Sequence, residues 1–261
     1  MMGAPTRHRG RSRYPTRSRN AGAVGAAPAT FNPLTDWTTD PVHGVWASDP
    51  LWTPPADGGA VSSWRNGGTV AGVNLTQATG SKRPTYRAST AALNNKPTVQ
   101  GDGTDDRLAA TFGVSVSQPY YVVWIGSKSK AANVAEALWD NAPAAATGYA
   151  VFTETGASTW RMYVHAGISG GTADTSPHLI VATVNGVSSA ISVDGTSVAS
   201  GSTGGADVAE GVTLFGDRSG TGYHSGGHIA YWALFTTDPT ALPEWTTFKA
   251  WVTSTYGITV A

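Results

Sequence analysis

Carboxylates are the first side chains in this sequence that could do chemistry. Hydrolysis of a glycosidic bond takes two of them, roughly 5–10 Å apart, and alternation along a strand could present both on one face. The chain has four glutamates, and none lies in a Glu-x-Asp-x-x-Glu pattern: Glu136, Glu154, Glu210 and Glu244. A pair of aspartates from separate loops stays open as an alternative.

Other catalytic and metal-binding groups are equally sparse. The chain has no cysteine, which excludes a thiol nucleophile and a thiolate metal site. His224 and His228 lie in a glycine-rich stretch, and we interpret them as flanking the start of a strand, with a zinc site as the weaker alternative. Asp102, Asp105 and Asp106 resemble a calcium loop, but the EF-hand order and its distal glutamate are absent. We predict no enzyme activity and no cofactor, with calcium at these aspartates as the alternative.

The first 30 residues are strongly basic and contain no acidic residue. They include Arg7, Arg9, Arg11, Arg13, Arg17 and Arg19. The formal net charge of the chain is zero, so residues 31–261 carry the balancing negative charge. A segment with so little apolar surface does not fold alone. Because arginine pairs with carboxylates through two hydrogen bonds, we predict an extended arm that docks on a partner protein. Nucleic-acid binding and a solvated tail are the alternatives.

The remaining residues must position these groups on short strands. With 32 glycines, 10 tryptophans and 13% charged residues, residues 31–261 are typical of one all-β sandwich. Pro243 and Glu244 open a helical pattern of Trp245, Phe248, Trp251 and Val252 that ends before Gly257. Residues 31–64 are expected to give an entry strand and loops that pack tryptophans on the sandwich edge. Strands are expected near residues 110–116, 120–127, 149–155, 159–165, 179–184, 190–193, 212–216 and 228–235.

Several short motifs carry a family resemblance when they are taken in order. Thr76–Thr79, Lys82–Tyr86 and Gly101–Leu108 are followed by Val193–Gly195 and Gly227–Trp232. In this order they resemble concanavalin A-like, laminin-G-like jelly-roll domains of phage and bacterial surface proteins, over roughly residues 35–261. The resemblance implies a two-sheet antiparallel sandwich with a short closing helix. It also implies that Gly101–Asp106 is a tight turn whose aspartates bind backbone amides, and that Gln100 replaces an aromatic residue of the core.

The resemblance also implies a function. Aromatic rings that stack on sugars, beside groups that bind hydroxyls, are expected at Trp139, Asp140, Asn141, Tyr149, Trp160, Asp217, Arg218, Tyr223 and His224. We therefore expect a non-enzymatic phage virion protein of the tail, fibre or capsid-decoration type, present in several copies and held by its arm to other virion proteins. It would display the sandwich to host-surface glycans. A soluble glycan-binding module or glycoside hydrolase, and a cementing protein without a ligand, are the alternatives.

Localisation follows from what the sequence lacks. No run of about 18 apolar residues could span a membrane, and the start of the chain does not resemble a signal peptide. We expect the protein to be made in the host cytoplasm and to reside on the phage particle.

Overall fold

The computed structural model describes residues 30–70, 73–130, 135–141, 150–153, 158–205, 208–220 and 222–261. These residues form strands β1 His43–Trp46, β2 Ser63–Trp64, β3 Leu75–Thr76, β4 Thr85–Thr90, β5 Lys96–Gln100, β6 Leu108–Val116, β7 Tyr120–Ser127, β8 Glu136–Asp140, β9 Ala150–Thr153, β10 Trp160–Tyr163, β11 Gly167–Gly170, β12 His178–Val184, β13 Ser189–Val193, β14 Thr196–Gly201, β15 Ala209–Leu214 and β16 His228–Phe235, and helix α1 Trp245–Tyr256. The predicted all-β class is confirmed.

Two eight-stranded antiparallel sheets face each other. One has the order β14-β13-β12-β7-β16-β5-β4, with β1 also paired to β16, and we call it the covered sheet. The other has the order β11-β10-β9-β8-β15-β6-β3-β2, and we call it the exposed sheet. The core between them is rich in large aromatic side chains, among them Trp64, Trp124, Trp139, Trp160 and Trp232. This arrangement is the predicted sandwich.

The central strands of the covered sheet, β7 and β16, are buried on both faces. Val122 and Trp124 of β7 face the core between the sheets, whereas Val123 and Ile125 pack beneath α1. Phe31, Leu34 and Trp37 complete this second cluster. A strand buried on both faces does not alternate between polar and apolar residues, because neither face meets solvent. This explains the continuous apolar sequence of β7 and β16. Both strands have the bounds predicted from the sequence.

Helix α1 closes the outer face of the covered sheet. Phe248, Trp251, Val252 and Tyr256 are buried at helical spacing, and the Trp46 indole N–H donates to the Tyr256 hydroxyl over 2.9 Å. Gly257 ends the helix in the left-handed region, with φ of 74°, where glycine has no steric penalty. The predicted helix and its end at this glycine are confirmed.

On the exposed sheet, β6 has one buried and one solvent-facing side, whereas β8 is buried on both. Along β6, Leu108, Ala110 and Phe112 point into the core, whereas Thr111 and Ser115 are exposed. This alternation is what a half-buried antiparallel strand requires. The sheet also contains β8 and β11, which the sequence did not predict as strands. Short strands that carry acidic or glycine residues give a weak periodic signal.

The basic arm predicted over residues 1–30, with its six arginines, lies outside the described residues up to position 29. Within the described ranges, no helix has the length and apolar character that a membrane crossing requires.

Candidate functional site

Two of the predicted sugar-stacking tryptophans are buried in the core. Trp139 lies in β8 and Trp160 in β10, and each ring is 1% exposed. The Trp160 ring meets the His178 ring edge-on, with the centroids 5.5 Å apart. Both rings were expected to stack on a sugar. This expectation is corrected, because both stand on strands with their rings closed to solvent. Tyr149 lies outside the described residues.

Three of the predicted sugar-binding residues, Asp140, Asn141 and Arg218, lie close together, and their hydrogen bonds tie a loop to β8. The Asp140 carboxylate accepts the Asn141 N–H over 2.7 Å and the Arg218 N–H over 3.0 Å. Burial raises the pKa of Asp140, and these two hydrogen bonds oppose the rise. Asn141 donates from Nδ2 to the carbonyl of Val208 over 3.3 Å. These groups hold the chain in place and leave little capacity for a ligand.

The loop that follows β15 carries the other predicted residues. Asp217 accepts hydrogen bonds from Ser219 Oγ and the Gly220 N–H, both over 2.8 Å. Tyr223 is 54% exposed, which makes it the accessible aromatic side chain of this loop. His224 is buried, and its Nδ1 has no hydrogen-bond partner.

His224 and His228 do not form a pair. His228 opens β16, and its Nδ1 lies 3.0 Å from Thr98 Oγ1. The interpretation that the histidines flank a strand start is therefore confirmed. Within the described part of the chain, the one group of three or more metal-ligating side chains that lie close together contains no histidine.

That group is the predicted turn at Asp102, Asp105 and Asp106, whose ligand atoms lie within 4.8 Å of one another. Asp102 Oδ1 accepts the N–H groups of Thr104, Asp105 and Asp106 over 2.8, 3.2 and 3.3 Å. These bonds outweigh the effect of burial and lower the pKa of Asp102. Burial, and then the charge of Asp102, raise the pKa of Asp106 to about 6. The turn has the hydrogen bonds that the family resemblance implied. It offers three carboxylates toward the roughly six to eight oxygens that calcium takes.

A buried ion pair lies nearby, and the sequence analysis did not identify it. The side chains of Lys128 and Glu136 are 0% exposed, with Lys128 Nζ 3.8 Å from Glu136 Oε2. Glu136 also accepts Ser225 Oγ over 2.6 Å and the N–H groups of Ser129 and Lys130 over 3.0 Å. Burial lowers the pKa of Lys128, and Glu136 opposes that effect. The pair joins the end of β7, the start of β8 and the loop before β16.

An open cleft of about 410 Å³ lies at the β2 edge of the exposed sheet. Its lining combines the apolar residues Trp52, Pro54 and Pro55 with the polar residues Ser62, Arg65 and Asn74. We call this the Trp52 cleft. Its volume falls within the range of about 300–1,000 Å³ that small-molecule sites occupy.

The Trp52 ring is held in one orientation. Its indole N–H donates to the Ser63 carbonyl over 3.2 Å. The rings of Trp64 and Tyr86 each lie 5.7 Å from it, centroid to centroid. Trp52 is half-buried, so the ring contributes to the core and still lines the cleft. A fixed aromatic surface can bind a ligand without losing side-chain entropy.

A second groove continues from the Trp52 cleft. It has a volume of about 490 Å³, shares Asn74 with the cleft and runs over β3 and β6, where Thr76, Ala109 and Thr111 line it. The small side chains of this face leave the groove shallow and open.

Comparisons with known proteins agree on the fold. No protein-family model matches the sequence, and no curated protein matches it. A sialidase of Trypanosoma rangeli in complex with sialic acid has a TM-score of 0.53 and 12% identity over 81% of this chain and 32% of the sialidase. Domain 4 of AbnA, an extracellular arabinanase of Geobacillus stearothermophilus solved with arabinotriose, has a TM-score of 0.50 and 10% identity over 83% of this chain and 98% of that domain.

This chain therefore spans about a third of the sialidase and nearly the whole of the arabinanase domain. Identities this low show the fold alone. The fold is a β-sandwich of the kind found in a sialidase and in a separate domain of an arabinanase.

Proposed function

We propose that this protein is a non-catalytic carbohydrate-binding β-sandwich and that the Trp52 cleft holds the sugar. The observation that carries the proposal is a fixed tryptophan ring that lines the same cleft of about 410 Å³ as Arg65 and Asn74. An aromatic ring covers the apolar face of a sugar, while guanidinium, amide and hydroxyl groups bind its hydroxyls. The fold shared with glycan-acting proteins is consistent with this role.

The placement of the acidic side chains favours binding over hydrolysis. A glycosidase needs two carboxylates on either side of the bond it cleaves, and the described residues that line the Trp52 cleft include no carboxylate. Glu136 and Asp140 are buried and already accept several hydrogen bonds. Ser169 stands in a Gly-x-Ser-x-Gly stretch, but this stretch contains strand β11 and is not the strand-to-helix turn of a hydrolase.

The test is a pair of substitutions that separates the cleft from the loop predicted by sequence. Trp52→Ala should weaken glycan binding by about tenfold or more, as for other central aromatic contacts. Tyr223→Ala removes the exposed aromatic residue of the loop and should leave affinity unchanged. Binding is measured on a glycan array with the multimerised protein and then by calorimetry. The opposite result would assign the sugar site to the loop, and an array without any signal would reject the proposed function.

Trp52 also packs on Trp64 and Tyr86, so Trp52→Ala could lower affinity by destabilising the fold. A second cleft variant separates the two effects. Ser62 is exposed and lines the cleft. Ser62→Met should occupy part of the cleft, lower glycan affinity and leave the unfolding midpoint within the error of the wild type. Retained affinity in Ser62→Met would contradict the assignment of the cleft.

We also propose that the sandwich is displayed on a phage particle and held there by the basic arm, in several copies. The family resemblance and the six arginines of residues 1–30 support this context. Multiple copies would add weak sugar contacts into firm attachment. A protein that lacks residues 1–30 should fail to join particles while its glycan binding persists. Incorporation at the level of the full chain would refute anchoring by the arm.

A further inference from the structure

The charges around the Trp52 cleft bear on which sugars it accepts. Among the described residues that line the cleft, Arg65 alone carries a charge. Its guanidinium forms an ion pair with the carboxylate of Asp49, through Arg65 Nη1 and Asp49 Oδ2. The positive charge of Arg65 is therefore balanced by the negative charge of Asp49.

Asp49 is fixed in that position. Its side chain is 3% exposed, and its Oδ1 accepts the Leu51 N–H over 2.9 Å. Its backbone carbonyl accepts the Trp52 N–H over 3.1 Å. The residue that neutralises Arg65 thus belongs to the turn that positions the aromatic ring, so it cannot move away to free the arginine without disturbing Trp52.

Arg65 still has hydrogen-bonding capacity for a neutral ligand. A guanidinium carries five N–H donors, and its ion pair with Asp49 engages Nη1. Asn74 accepts the Asn66 N–H through Oδ1 over 3.0 Å, which leaves its amide NH₂ as a donor. The cleft therefore offers directional donors for hydroxyl oxygens without a net positive charge.

From this arrangement, and resting on the proposed function, we infer that the Trp52 cleft selects uncharged sugars and discriminates against sugars that carry a carboxylate. A uronic or sialic acid would bring its carboxylate close to the buried Asp49. Like charges in a partly desolvated site repel, and the described lining supplies no second cation to offset them. A neutral sugar experiences none of this repulsion.

The test uses a glycan array on which neutral oligosaccharides are printed beside counterparts that differ by a uronic or sialic acid carboxylate. We expect wild-type protein to bind neutral members at least tenfold more tightly than their acidic partners. The dissociation constant of a neutral ligand should stay constant between 50 and 500 mM NaCl, because salt screens only charged interactions.

Asp49→Asn is the decisive variant, since asparagine keeps the acceptor for Leu51 and removes the charge. It should raise affinity for the acidic member of a pair at least tenfold and change affinity for the neutral member by less than threefold. Arg65→Gln is the matched control. It should lower affinity for both members and keep the preference for the neutral one. Thermal unfolding verifies that both variants are folded.

The outcomes separate the inference from the proposed function. A wild-type protein that binds acidic glycans, with binding lost in Trp52→Ala, would overturn the inference and keep the cleft as the sugar site. Asp49→Asn without a gain for acidic sugars would also overturn the inference. The proposed function and the inference would both be rejected if neither neutral nor acidic glycans bind. They would also both be rejected if glycans bind to Trp52→Ala as tightly as to the wild type.

Discussion

The outer faces of the two sheets differ in what covers them. On the covered sheet, Val123 and Ile125 lie beneath Phe248 and Trp251 of α1 and beneath the segment around Trp37. On the exposed sheet, the outward positions hold residues such as Thr76, Thr111 and Ser169. The centre of one face is an additional hydrophobic core, and the other face exposes small polar side chains along β3, β6 and β11.

This difference shows where a ligand can bind. A face that buries a helix contributes to stability and is closed to other molecules, whereas a face of small polar residues contributes little to folding and remains accessible. The Trp52 cleft lies at the edge of the exposed sheet, beside the groove over β3 and β6. Binding and stability are therefore expected to respond to substitutions on opposite sides of the molecule.

The largest effect is expected where the helix meets the covered sheet. Phe248 is fully buried, and its ring lies 5.0 Å from that of Trp37 and 5.7 Å from that of Phe31. Phe248→Ala should lower the free energy of unfolding by about 3–5 kcal/mol, measured by urea denaturation. Leu51→Ala, at a position that is 72% exposed, is the control and should be nearly neutral. A small loss in Phe248→Ala would mean that the helix does not secure this face.

The buried ion pair should have the next largest effect. Glu136→Gln removes the charge that faces Lys128 but keeps one oxygen as an acceptor for Ser225 and Ser129. Lys128 keeps its hydrogen bond to the Lys130 carbonyl in this variant. We therefore expect the free energy of unfolding to fall by about 1.5–3 kcal/mol, as for the loss of a hydrogen bond to a charged group. Lys128→Met in the same background should recover part of this free energy, since the buried ammonium whose charge Glu136 had balanced is then gone. If the double variant is as unstable as Glu136→Gln alone, the pair does not act as a unit.

A pH-dependent effect is expected where the two sheets meet at His178. Burial alone would lower the pKa of His178, but its hydrogen bonds to Asp194 and Asp174 outweigh burial and raise the pKa above 6.5. The stabilisation is therefore complete below pH 6.5 and is lost as the pH rises through the folded-state value. The unfolding free energy of the wild type should fall over this window, and His178→Gln should show a flatter profile. Parallel profiles would rule out His178 as the group responsible.

Much of the fold could be predicted because burial leaves a regular signature. The bounds of β7 and β16 came from continuous apolar runs, and α1 from Phe248, Trp251 and Gly257. Strand β14 escaped prediction because it is a partly exposed edge strand with a weak pattern. Strand β8 escaped because the acids at its two ends, Glu136 and Asp140, interrupt the apolar pattern, although both are buried and hydrogen-bonded.

The candidate site could not be predicted in the same way. Trp52 was interpreted as a tryptophan packed on the sandwich edge, which is half of its role. The cleft also needs Arg65 and Asn74, and no spacing rule links side chains that converge from a turn, the end of one strand and the start of another. Glu136 was set aside because it lies in no Glu-x-Asp-x-x-Glu pattern. Its partner Ser225 is 89 residues away, and only the folded chain brings the two together.

The smallest effect on stability is expected on the outer face of the exposed sheet, where Thr111 lines the groove that continues from Asn74. Thr111→Arg should change the unfolding free energy by less than about 0.5 kcal/mol, as for surface substitutions generally. Its side chain would nevertheless obstruct the groove, so binding of long oligosaccharides should weaken while binding of short ones that fit within the Trp52 cleft persists. Calorimetry with a series of increasing chain length measures both. If Thr111→Arg destabilises the fold as Phe248→Ala does, the two faces do not differ as described. If every chain length binds with wild-type affinity, the ligand does not extend beyond the cleft.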